Sequence, residues 1–216
     1  MSLVRNLEKR LEKLLEGVAG RVFSARLHPS EIAGKLAREA DFARFEHETG
    51  PATANSFTIL VNPRDLTLDV AGLQQTLTEE MVQYTTEEGL RLEGPVSVRI
   101  EESDMVAPGG ATCHVKVTPG PTVAWAKLLS DETAAEIGRN RSIIGRSRDA
   151  DVVIDRGDVS RAHALIWRQS GQTWIRDLES ANGTSVDGQR LVSEPTVIQT
   201  GSVLDFSGHQ YRFMEM

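Results

Sequence analysis

Apolar residues recur at helical spacing where the chain opens: Leu3, Leu7, Leu11, Leu14, Leu15 and Val18, separated by Arg5, Glu8, Lys9, Glu12, Lys13 and Glu16. A stripe of this period predicts an amphipathic helix packed on the rest of its domain. The interspersed glutamates speak against a basic helix lying on a membrane. Ser2 stands where a cap would, and Gly17-Val18-Ala19-Gly20 reads as helix packing, because it lacks the basic flanks of an RNA-clamping Gly-x-x-Gly loop. His28-Pro29-Ser30-Glu31 starts a second helix, with Pro early and Glu in the first turn, which runs through Ile32, Leu36, Ala40 and Ala43 towards Glu46. His47 to Ala54 reads as loop. Asn55 to Asn62 is an apolar run of strand length closed by Pro63, and Leu73 to Thr86 is a helix with Leu73, Leu77 and Met81 on one side. Two more strands, Pro95 to Glu101 and Ala111 to Thr118, read as a hairpin joined by the loop ending in Pro108-Gly109-Gly110. The order α-α-β-α-β-β makes residues 1–118 an α+β domain.

After Thr118-Pro119-Gly120-Pro121-Thr122 the period changes to that of short strands. Residues 119–122 form a short linker, and 123–216 form a second domain. Its strands are Val123 to Leu129, Ala134 to Ile137, Ser142 to Ile144, Val152 to Ile154, Ala164 to Arg168, Thr173 to Asp177, Thr184 to Val186, Arg190 to Leu191, Thr196 to Ile198, Ser202 to Phe206 and His209 to Met214. Turn signals such as Ser170-Gly171, Asp187-Gly188 and Ser207-Gly208 separate them, which is the spacing of an all-β sandwich.

Composition narrows the function. The chain has 216 residues, enough for one or two cores, with 25% charged and 39% apolar residues. Its net charge of -7 excludes indiscriminate binding to nucleic acid or anionic membrane. Cys113 is the single cysteine, so neither an internal disulfide nor a thiolate metal cluster is possible within the chain. With no apolar run of membrane length and no signal-peptide pattern, the expected compartment is the cytoplasm, with membranes reached only through partners. Asn182-Gly183-Thr184 is formally a glycosylation acceptor, a reading that such a compartment sets aside.

No catalytic or cofactor motif stands out. His28, His47, His114, His163 and His209 are scattered, and there is neither a His-Glu-x-x-His helix nor a Gly-rich nucleotide loop. Ser160 and His163 have the spacing of a nucleophile and base but lack an orienting carboxylate. The reading is therefore a non-enzymatic protein without metal or cofactor.

The chemistry lies in four polar groups: Gly145-Arg146-Ser147, Asp149 to Asp151, Val159-Ser160-Arg161-Ala162-His163, and Asp177 to Thr184 with Asn182-Gly183. Each ends an apolar run, as loops at one edge of a β framework would. An Arg on one loop, a Ser and an Arg on a second and an Asn on a third are the donors that a tetrahedral anion needs. Charge-assisted bonds contribute roughly 1.5 to 3 kcal/mol each. Two or three of them supply most of a micromolar affinity, about 8 kcal/mol. Between residues 139 and 161, six arginines (139, 141, 146, 148, 156, 161) face four aspartates (149, 151, 155, 158), a mildly basic stretch in an acidic chain.

Taken in order, these groups resemble the forkhead-associated (FHA) domain. The resemblance implies that Arg146 and Ser160 contact the phosphate of a phosphothreonine and that Arg161 lies beside it. It also implies that Asn182 bonds the neighbouring peptide main chain, that Gly145 and Gly183 permit the turns, and that His163 braces the site from inside. The position before Asn182, often Thr or Ser in the family, is Ala181, which removes one side-chain contact. The opening helix, with His28-Pro29-Ser30-Glu31-Ile32-Ala33 leading into Leu36-Ala37-Arg38-Glu39, is similar to the N-terminal domain of the two-domain FHA proteins of actinobacteria. There a long linker usually separates the domains; here it is short. The expectation is an adaptor that binds phosphothreonine proteins, Ser/Thr kinases or their substrates, in cell-envelope growth or division. The alternative is a scaffold whose sandwich has lost phosphate binding. Thr85-Thr86-Glu87-Glu88 is a candidate phosphosite of the chain itself, on the expectation that it is exposed and acidic.

Overall fold

The computed structural model describes residues 3–17, 22–24, 26–66 and 70–216. Ser2, and Val18 to Gly20 of the Gly-x-x-Gly stretch, lie outside the described residues. The chain divides into two compact units, one of residues 1–46, 52–85 and 92–120, the other of 47–51, 86–91 and 121–216.

In the first unit, α1 (Leu3–Glu16) packs on α2 (Pro29–Phe42). Leu7, Leu11 and Leu15 of α1 are buried, as are Ile32, Ala33, Leu36, Ala37 and Ala40 of α2. The cap of α2 is the imidazole of His28, whose Nδ1 accepts from Ser30 N at 3.3 Å. Helix α2 stops short of the expected Glu46, and a two-stranded ribbon, β1 (Phe45–His47) with β2 (Gly50–Ala52), reaches into the stretch expected as loop; it turns at Glu48 and Thr49, and Gly50 opens β2 with a φ of 108°.

The three-stranded sheet departs from the expected hairpin. Strand β3 (Ser56–Val61) is central, parallel to β4 (Ser97–Glu102) and antiparallel to β5 (Ala111–Lys116). The parallel pair needs a crossover, which α3 (Ala71–Glu87) supplies. The segment between β4 and β5 is drawn across the end of β3 by two side chains that follow that strand. Asn62 Nδ2 donates to Val106 O at 2.7 Å, and Asp65 accepts Gly109 N at 2.7 Å and Ser24 Oγ at 2.7 Å. The chain therefore returns on the far side of β3. At the other end Asn55 ties Pro95 O and Thr118 by three bonds of 2.8 to 2.9 Å. Phe57, Ile59 and Val61 are fully buried, as a central strand requires.

The candidate phosphosite rests on an exposure the fold does not provide at Thr85. Its side chain is 2% exposed and its Oγ1 donates to Met81 O at 2.9 Å within α3, because the residue faces inward beside Leu77, Met81 and Tyr84.

The second unit is a sandwich. One sheet has the order β14-β11-β10-β8-β9, from β8 (Ser142–Gly145), β9 (Val152–Val153), β10 (Ala164–Gln169), β11 (Gln172–Asp177) and β14 (Thr196–Ile198). The other has the order β13-β12-β15-β16-β6-β7, from β6 (Ala126–Leu129), β7 (Ala134–Ile137), β12 (Thr184–Val186), β13 (Gln189–Arg190), β15 (Val203–Phe206) and β16 (His209–Glu215). The expected strands all appear, with ends moved by up to three residues. Alternation puts Ile144, Ile166 and Ile175 of the first sheet against Leu128, Leu204, Phe206 and Phe213 of the second. Phe206 is fully buried and meets the His163 ring edge to face, centroids 5.6 Å apart. Replacing Phe206 by Ala should destabilise the protein by about 3 to 5 kcal/mol, measured by urea unfolding; a change under about 1 kcal/mol would mean that this ring does not anchor the sandwich.

Candidate functional site

Three loops of the second unit carry the residues singled out in the sequence: 146–151 after β8, 154–163 after β9, and 178–183 after β11. They are joined mainly through main-chain groups. Arg146 N donates to Ser160 O at 3.0 Å and Ser147 N to Arg161 O at 3.2 Å, which fastens the first loop to the second. Ala181 N donates to Ser160 Oγ at 3.0 Å, and Asn182 Nδ2 donates to Asp158 O at 2.8 Å, which fastens the third to the second. Arg146, Ser160, Arg161 and Asn182 are thus brought together.

His163 joins the second loop to the third. It is fully buried, its Nδ1 accepts from Ser160 N at 3.1 Å and its Nε2 lies 3.2 Å from Gly183 O. A nitrogen that accepts carries no proton, so this ring is neutral with its hydrogen on Nε2, donating to Gly183. Burial holds its pKa below the ordinary histidine value, against the opposing effects of the Gly183 carbonyl and of Asp177, Asp158 and Asp205. The ring's partner is the amide of Ser160 and not its hydroxyl, which removes the nucleophile-and-base arrangement.

Gly145 is required by close approach, where the sequence suggested a turn. A Cβ there would overlap the Arg161 carbonyl oxygen and stand 3.0 Å from that of Ser160. Gly183 does occupy a left-handed conformation, with φ 88°.

Three of the acids near the site, Asp149, Asp151 and Asp158, are engaged elsewhere. Asp149 and Ser147 bond each other, and His209 Nε2 is 2.9 Å from Asp158 Oδ1. The bond from His209 holds the Asp158 carboxyl below its ordinary pKa. Asp151 accepts Ile143 N at 3.0 Å, stands 3.6 Å from Arg139, and takes a two-pronged bond from Arg91 of the same unit at 2.8 and 2.9 Å. Arg146 and Arg161 are exposed and make no ion pair among the described residues. Because Ser160 Oγ accepts from Ala181, its own proton is left to donate elsewhere. The Asn182 amide, donating to Asp158, keeps its oxygen as an acceptor. Two guanidinium groups, a hydroxyl and an amide oxygen are the functions that an anion attached to a peptide main chain calls for.

Two residues beside these loops were given no role in the sequence, Asp177 being named only as the start of the fourth polar group. Asp177 shapes the third loop by accepting Ser180 N at 2.9 Å, Ser180 Oγ at 2.7 Å and Thr184 Oγ1 at 2.6 Å. Burial pushes its pKa up, but those bonds outweigh it and hold the carboxyl below the ordinary value. Its place three residues before Ser180 is the signal that could have found it, since Asp bonds local backbone N–H groups. Arg190 lies against Gly183, where a Cβ would be 2.5 Å from its Nη2. No motif marks it.

Among the described residues no group of three or more His, Cys, Asp or Glu could hold a metal ion, and no helix is long and apolar enough to cross a membrane.

With this geometry in place, the comparisons define the class. The family model described as "FhaA, N-terminal domain" matches residues 4–114, more than half of the chain, and an FHA domain model matches residues 142–207. The chain belongs to the FhaA family and carries an FHA domain. The oxoglutarate dehydrogenase inhibitor of Corynebacterium diphtheriae is 34% identical over 113 residues, which cover 52% of this chain and 71% of that protein. The transcriptional regulatory protein EmbR of Mycobacterium tuberculosis is 37% identical over 70 residues, 32% of this chain but 18% of EmbR. Among solved structures, EmbR in complex with a low affinity phosphopeptide matches with 30% identity and a TM-score of 0.40, over 43% of this chain and 24% of that one. The FhaA FHA domain complexed with the intracellular domain of Rv3910 matches with 23% identity and a TM-score of 0.37, over 42% and 99%.

Two outcomes follow from the histidine and the glycine. The folded pKa of His163 lies below the unfolded value near 6.5, so between the two the unfolded chain binds more protons. Its contribution is full above that value and is lost as pH falls towards the folded pKa. Urea unfolding at about pH 7.5 and about pH 5.5 should show this loss, and His163→Phe should remove its share of it. The same variant should cost about 1 to 3 kcal/mol for each of the Ser160 and Gly183 groups left unpaired. Gly145→Ala should cost about 1 to 3 kcal/mol and shift the backbone amide resonances of Arg146, Ser160 and Arg161, because the two loops must part. Unmoved resonances would show that the close approach is not required.

Proposed function

We propose that this chain is a phosphothreonine-dependent protein-binding adaptor, not an enzyme, which works in Ser/Thr kinase signalling in the cytoplasm. The observation that carries the reading is the convergence of Arg146, Ser160, Arg161 and Asn182 on three loops tied to one another, two of them braced by one neutral histidine. In the proposed mode the Arg146 guanidinium and the Ser160 hydroxyl hold the phosphate. Arg161 adds a charge beside it, and Asn182 fixes the peptide main chain. Exposed, unpaired arginines suit reversible binding, since no internal ion pair has to break first. The FHA domain match supports this role, and a relative named as an inhibitor is consistent with action by binding. Partners are phosphothreonine proteins, kinases or their substrates, and the family resemblance extends the proposal to cell-envelope growth and division.

Arg146→Ala should weaken binding to a degenerate phosphothreonine peptide library by about tenfold to a hundredfold, measured by fluorescence anisotropy beside unphosphorylated and phosphoserine peptides. If the well-folded wild type bound without regard to phosphate, the sandwich would be a scaffold and this reading would fall.

A further inference from the structure

We infer that Arg190 is a specificity-determining residue of the same site, selecting ligands with an acidic side chain beside the phosphothreonine; the inference rests on the phosphopeptide reading above. Arg190 ends β13, whose pairing with β12 sets it opposite Ser185. From there its guanidinium lies flat against Gly183: a Cβ on that glycine would be 2.5 Å from Nη2, 2.7 Å from Cζ and 2.9 Å from Nε. The group therefore lies against the residue that follows Asn182.

Three features make this more than a solvated charge. Arg190 is exposed and makes no ion pair among the described residues, so its charge is not spent within the protein. Glycine at 183 allows the guanidinium to lie on the loop main chain next to Asn182, the residue that fixes the peptide in the proposed mode, and a side chain there would push it away. The residues that follow Arg190 line a cleft of about 490 Å³, Leu191 and Val192 standing there with Arg176 and Asp177 of β11 and Leu178 and Glu179 of the third loop. The cleft gives a ligand chain room to continue past Asn182, with a second guanidinium on its wall. Arg190 thus stands beside the site and Arg176 on the cleft wall, with Glu179 as the exposed acid there, since the Asp177 carboxylate is taken up by Ser180 and Thr184. Opposite charge across such a contact favours the right partner and repels the wrong one.

The test uses the full chain and phosphothreonine peptides in which each of the three positions on either side of the phosphothreonine is in turn Glu, Ala or Lys. Wild type should prefer Glu over Lys at one flanking position by about threefold to tenfold. Arg190→Glu should invert the preference at that position alone, and Arg190→Lys should retain it in weaker form. If Arg190→Glu leaves the whole preference profile unchanged while phosphate dependence persists, the assignment of Arg190 is overturned and the phosphopeptide reading survives. If wild type binds no phosphothreonine peptide, both are overturned.

Discussion

The second unit depends at its functional end on one buried, neutral imidazole. His163 takes the amide of Ser160 on one nitrogen and gives its proton to Gly183 on the other, so a single ring sets the spacing between two loops. Its own amide donates to Ile144 O and its carbonyl accepts Leu178 N, which places the same residue in the main-chain bonding of β8 and of the third loop. Phe206, from the opposite sheet, supports the ring's position. A protonated ring would have to donate from both nitrogens, and the Ser160 amide cannot accept. Burial in the core is what keeps it neutral.

Around this ring the protein separates holding from binding. Main-chain amides and carbonyls, Asp177 and Asp158 fix the loops, while the long cationic side chains remain outside the internal network. Such a division lets charge be presented without a folding cost, because each guanidinium stays solvated and only the loops beneath it are rigid. Three of the four acidic residues of the same stretch have other work. Asp149 turns its own loop, Asp151 anchors the start of β8, and Asp158 pairs with His209. Arg139, Arg141 and Arg156 of the same stretch are also engaged within the protein, which leaves Arg146 and Arg161 exposed without an ion pair among the described residues.

The first unit obeys a different constraint. Its sheet is centred on a strand that is apolar on the buried face and bounded by two asparagines, and those asparagines hold the chain ends that would otherwise determine pairing. The alternation marked Asn55 to Asn62 as a strand. It could not mark that strand as the middle one, because pairing depends on where Asn62 and Asp65 draw a loop more than forty residues away.

Period and punctuation in the chain were enough to determine the two kinds of architecture, the identity of the helices and the eleven strands of the sandwich, since burial of one face imposes those patterns locally. The sequence also named the four residues Arg146, Ser160, Arg161 and Asn182, because their loops fall next to strand ends. Tertiary structure alone decided which strands neighbour one another, that Thr85 is buried, and that Gly145 is needed for contact with Arg161 and not for a turn. It also placed Asp177 beneath the third loop and Arg190 against Gly183. These facts depend on atoms distant in the chain meeting at about 3 Å, and no local pattern of hydrophobic and polar residues encodes such a meeting.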